Sequence, residues 1–141
     1  MIKGRRIAFD YGDVRIGVAI SDVDAILATP LTTLINDEAT LFAKIGEILD
    51  EYNPVHLYVG KPLHLSGQES ESTVKAIAFS LKLAETTQVP ISLIDERLST
   101  VSASRQLHEA GKNSKQAKKM IDEVAAVGIL EAALNAQKHK K

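Results

Sequence analysis

The chain has 141 residues, a formal net charge of −1, 45% hydrophobic and 25% charged side chains, and no cysteine. Those totals fit one domain with a real core, and they exclude disulfides and thiolate metal sites. No apolar run approaches the roughly 20 residues of a membrane span and the N-terminus lacks a signal-peptide core, so a soluble, cytoplasmic protein is expected.

The first predicted elements are two short apolar strands, Arg6–Asp10 and Arg15–Asp22, joined by a turn containing Gly12 and Asp13. Ala28–Leu34 reads as a third strand, with Pro30 near its beginning or on an edge. Asn36, Asp37 and Glu38 are expected to cap a helix over about 39–52, with Leu41, Ile45, Ile48 and Leu49 on its inner face and Asn53-Pro54 ending it. His56–Gly60 reads as a buried parallel strand, followed by a loop over 61–68. A second helix is predicted from Ser70 or Glu71 to Thr86, with Val74, Ile77, Ala78, Leu81 and Ala84 as its apolar stripe. Pro90–Glu96 gives another strand, Ser99–Ala110 a helix closed by Gly111, and Lys118–Gln137 a final helix. The order β-β-β-α-β-α-β-α-α favours an α/β domain over residues 1–137, a mixed sheet flanked by helices, with a short basic tail at 138–141.

Charge is unevenly spread along this order. Residues 1–96 carry 8 Lys and Arg against 14 Asp and Glu, whereas residues 97–141 carry 9 against 4. Such polarity fits either a nucleic-acid face or a solvated surface with a basic tail. Aromatic residues make up only 4%, so recognition by rows of stacked bases is not expected.

Three acids stand out by position. Asp10 closes the first strand, Glu96 the fifth, and Asp122 lies in the first turns of the last helix. In a parallel arrangement strands one and five present their C-terminal ends at one rim, where open α/β sheets bind ligands. Asp122 shares a helical stripe with Ala125, Ala126, Ile129 and Ala133, small residues that let a helix lie close to a sheet. The pattern does not separate Asp122 from Glu123, because Val127, Leu130 and Leu134 make the adjoining face apolar too. The plainer readings are a turn aspartate bonded to its own backbone at Asp10, and a helix-dipole acid at Asp122. Converging carboxylates without Cys or paired His suit hard ions, Mg2+ or Mn2+. Two such ions about 4 Å apart activate water and stabilise the leaving oxygen in phosphodiester hydrolysis.

Four ordered motifs carry a family resemblance across almost the whole chain. They are Asp10-Tyr11-Gly12 with Arg15–Ala19, Val59-Gly60-Lys61-Pro62-Leu63 with Gly67, Asp95–Thr100, and Lys119–Ala126. In these the chain resembles the YqgF family of pre-16S rRNA nucleases, relatives of RuvC-type Holliday junction resolvases in the RNase H-like superfamily. The resemblance implies a five-stranded RNase H-like fold, metal-binding catalytic carboxylates at Asp10, Glu96 and Asp122, and a role in maturing the 5′ end of 16S rRNA in the cytoplasm. Lys61 stands where an apolar residue is expected in relatives, and it adds positive charge to the rim loop. Arg15, Lys61, Arg97, Lys112, Lys115, Lys118 and Lys119 are the candidate contacts to nucleic acid.

The expected function is a metal-dependent endonuclease acting on precursor rRNA, with the pre-ribosomal particle as a further partner and a monomer as the expected state. A resolvase of branched DNA would use the same acids in a symmetric homodimer. A non-catalytic RNA-binding assembly factor is the alternative of a different class.

Overall fold

The computed structural model describes residues 3–98 and 115–138, with the backbone alone for 115–120 and 138. The elements are β1 (Arg6–Asp10), β2 (Arg15–Ser21), β3 (Ala28–Ile35), α1 (Leu41–Tyr52), β4 (His56–Lys61), α2 (Glu71–Thr86), β5 (Ile91–Asp95), a 3-10 turn (Glu96–Leu98) and α3 (Lys115–Lys138). The helix expected over 99–110 lies outside the described residues.

The strands form one sheet in the order β3-β2-β1-β4-β5. β1 pairs antiparallel with β2, which pairs antiparallel with β3, whereas β4 and β5 run parallel to β1. Helical crossovers supply the reversals that parallel pairing requires. β1 is buried along its whole length because both faces of the sheet are covered. Pro30 sits on edge strand β3, where the β2–β3 register shifts between Val18 and Ala19, so its missing N–H costs no central ladder bond.

The two faces differ in side-chain size. Ile7, Phe9, Ile16, Val18, Leu57 and Val59 pack against α1 and α2 in a core of large residues. Ala8, Ala19 and Tyr58 face α3, which meets them with Ala125, Ala126, Ile129, Leu130 and Ala133. Alanine against alanine lets α3 lie close to β1 and β2. The last helix is therefore buried along the side that faces the sheet, while Val124 is 44% exposed.

Four local expectations are corrected. α1 begins at Leu41 with Thr40 at its N-cap, because Asp37 closes a turn of its own through bonds to the Ala39 and Thr40 N–H groups. In α2 the buried side is Thr73, Ala76, Phe79, Ser80 and Leu83, while Val74 and Leu81 of the predicted stripe are 59% and 64% exposed. Two contacts set that rotation. Ser70 and Thr73 form a capping box while the Thr73 hydroxyl donates to the Pro62 carbonyl, and Phe79 packs on Phe9, Tyr11 and Phe42 at ring separations of 5.8, 5.0 and 6.0 Å. Lys61 is the last residue of β4 rather than a loop residue, and Glu96 opens the 3-10 turn rather than ending β5.

Candidate active site

The C-terminal ends of β1, β4 and β5 share one rim, and Asp10 ends the central strand there with 2% of its surface exposed. Side chains alternate along a strand, so Asp10 points to the same face as Ala8, the α3 face. Its partner in β2 is Gly17, and its neighbour on the β4 side follows the Phe9–Val59 pair, which is Gly60. Both neighbours lack a side chain, and in both cases another element fills the space. A Cβ on Gly17 would collide with the Asp122 carbonyl oxygen, and one on Gly60 would lie 2.7 Å from Glu96 Oε2 and overlap Ile129 Cδ1. Glu96 is 6% exposed. The sheet thus brings Glu96 and the first turns of α3 to either side of Asp10.

Asp122 and Glu123 have different partners. Asp122 Oδ2 accepts a bond from Arg15 Nε at 2.7 Å, with both side chains partly buried. Glu123 Oε2 accepts from the Thr33 hydroxyl at 3.1 Å, out on edge strand β3. Arg15 lies two residues from Gly17 on β2, so it too projects on the α3 face. Among the described residues no three His, Cys, Asp or Glu side chains are grouped tightly enough to hold an ion as they stand. Asp10, Glu96 and Asp122 nevertheless offer carboxylate oxygens, the kind of donor a hard divalent cation takes. Two of these acids, Asp10 and Glu96, are buried.

The candidate nucleic-acid contacts fall into different settings. Arg97 wraps its own neighbour, with Nη2 donating to Asp95 Oδ2 at 2.7 Å and Nε to both carboxylate oxygens at 3.0 and 3.1 Å. That pairing holds the Asp95 carboxyl below the usual carboxylate range. Lys61 lies 4.0 Å from Glu69 across the rim loop. Lys115, Lys118 and Lys119 fall in the first turns of α3, leading into Asp122. Lys112 lies outside the described residues. A cleft of about 400 Å3 between α1 and α2, lined in part by Tyr11, Phe42, Phe79 and Lys82, opens on the other face of the sheet and includes none of the three acids.

From sequence alone, Gly60 ends the fourth strand beside the loop, where it serves either loop movement or a turn, and Gly17 is one residue of a motif. Their role as gaps that admit Glu96 and α3 has one signal, a glycine inside an otherwise apolar strand. The Arg15–Asp122 pair spans 107 positions and has none.

A central strand with two antiparallel neighbours in series on one side and two parallel ones on the other, with acids at its rim, is an RNase H-like architecture. A family model described as "RuvX: Holliday junction resolvase" matches residues 4–136, and the chain belongs to that family. This is the family expected from the four motifs. A protein of Streptomyces avermitilis named "Putative pre-16S rRNA nuclease" is 42% identical over 140 residues, covering 98% of this chain and 90% of its own. A Mycolicibacterium smegmatis protein of the same name is 44% identical over 138 residues, covering 94% and 81%. Among solved structures, Thermus thermophilus RuvC in complex with a Holliday junction substrate superposes with a TM-score of 0.63 over 96% of each chain, at 15% identity, a likeness of fold.

Proposed function

We propose that the protein is a divalent-metal-dependent endonuclease of the cytoplasm that processes the 5′ end of pre-16S rRNA, with Asp10, Glu96 and Asp122 as its catalytic carboxylates. The observation that supports this reading is the neighbourhood of β1: Asp10 ends the strand, Glu96 Oε2 lies over Gly60, and the backbone of Asp122 lies over Gly17. The names of relatives more than 40% identical over nearly the full chain support the choice of substrate. Asp10 and Glu96 would hold Mg2+ or Mn2+ between them, and Asp122 would complete the donor set from α3. When bound, the ions would lower the pKa of an attacking water and neutralise charge developing on the phosphate. Asp10 and Glu96 are both buried, and their low exposure to solvent would strengthen their hold on a cation. Lys61, Arg97 and the lysines at 112, 115, 118 and 119 would steer the RNA backbone to the rim through salt-sensitive contacts. Arg15 serves the phosphate beside Asp10. The working unit is a monomer, with the pre-ribosomal particle as the setting in which it acts.

The test is cleavage of a 16S-precursor leader RNA beside a synthetic four-way DNA junction, with Mg2+ or Mn2+, by the wild type, Asp10→Asn and Glu96→Gln. The expected outcome is cleavage of the RNA alone, reduced at least 100-fold in both variants, the scale on which removal of an active-site electrostatic group acts. Symmetric cutting of the junction would instead support a resolvase, the activity in the family description. Binding without cutting of either substrate would overturn the enzymatic reading.

A further inference from the structure

On that reading of the acids, we propose that Arg15 is a positioning residue that couples nucleic-acid binding to metal loading: it holds Asp122 in reserve, and a substrate phosphate draws it away. Three observations carry the proposal. Arg15 Nε sits 2.7 Å from Asp122 Oδ2, so a donor oxygen of the third acid is engaged by a guanidinium. Among the described residues no three His, Cys, Asp or Glu side chains are grouped as an ion requires. The backbone of Asp122 is pressed onto Gly17, so exchange of partners is a matter for the two side chains and not for the helix.

The pair is built for such an exchange. The Arg15 and Asp122 side chains are 27% and 19% exposed, so the contact is shielded from bulk solvent yet reachable from it. A guanidinium offers five donors in a planar fork that suits phosphate as well as carboxylate. Arriving RNA therefore offers Arg15 a second anion at the rim where Asp122 waits. When the guanidinium turns to the phosphate, Asp122 loses its counter-charge, and a divalent cation becomes its best remaining partner. Each ligand thus prepares the site for the other, and by linkage the two effects on affinity are equal. A metal-free chain, or one loaded without substrate, is held short of a complete donor set.

The experiment measures two equilibria on the full chain. Calorimetry gives Mn2+ affinity of the protein alone; fluorescence anisotropy gives the affinity of a hydrolysis-resistant phosphorothioate RNA hairpin with and without Mn2+. In the wild type Mn2+ is expected to tighten RNA binding about tenfold, within the usual range of coupling between sites. In Arg15→Gln the same ratio falls to near one, while Mn2+ binds the free protein several-fold more tightly than it binds the wild type. Arg15→Lys, which keeps the charge but not the fork, retains part of the coupling and guards against misfolding of the glutamine variant. Weaker Mn2+ binding in folded Arg15→Gln, or equal coupling in all three proteins, overturns the latch. Asp10→Asn separates the two levels: if it abolishes Mn2+ binding while Arg15→Gln leaves coupling intact, only the latch falls. If no protein binds Mn2+, with or without RNA, both fall.

Discussion

His56 stacks on Tyr58 with ring centroids 4.5 Å apart and 13° between the planes, and its Nε2 lies 2.8 Å from the Ser92 hydroxyl. Burial, and then the charge of Arg6, push its pKa below the ordinary value near 6.5. The unfolded chain therefore takes up a proton there before the folded one does. Stability from this residue is complete above the unfolded value and declines as pH falls from about 6.5 toward the lower folded value. Melting temperatures measured from pH 7 down to pH 5 are expected to fall less steeply in His56→Gln than in the wild type, and parallel slopes would refute the assignment. The acids at the rim were legible for a related reason. A carboxylate ending an apolar strand has no propensity argument in its favour, so Asp10 asks for a chemical one. What Asp122 touches was not legible, because Arg15 is distant in sequence and nothing local distinguishes Asp122 from Glu123.

Gly60 belongs to a strand, yet its effect is on two other elements. An alanine there would press on Ile129 of α3 and on the Glu96 carboxylate at the start of the 3-10 turn. Gly60→Ala is expected to cost about 1–3 kcal/mol, the usual range for overpacking, and to weaken Mn2+ binding by displacing Glu96. Thermal melts with Mn2+ titrations would check this; a stable, normally binding variant would show the gap to be incidental. The helices show where pattern reading stops. α2 carries apolar residues on two sides, so Val74 and Leu81 compete with Phe79 and Leu83 for the role of inner face. Tertiary contacts decide between them, and they favour a face that includes the polar Thr73 and Ser80. In α3 the buried side joins Ala125, Ala126 and Ala133 with Ile129, Leu130 and Leu134, so it draws on both of the apolar faces in the pattern.

The molecule as a whole is polarised, acidic through residue 96 and basic thereafter. Lys115, Lys118 and Lys119 lie on the first turns of α3, so part of the basic excess leads directly to the rim. RNA affinity is expected to fall linearly in log–log terms with salt, and Lys118→Ala/Lys119→Ala should flatten that slope by about 0.7 for each phosphate no longer neutralised. An unchanged slope, with an unchanged melting temperature, would place those lysines away from the RNA.

The docking of α3 has a bearing on when the protein becomes dangerous. Asp10 is made early in translation and Asp122 more than a hundred residues later, on the helix that also covers Ala8, Ala19 and Tyr58. A partial chain thus exposes an apolar sheet face and lacks its third acid at the same time. On the proposed assignment of the acids, the docking of α3 would cover that face and bring the third acid to the rim in one event.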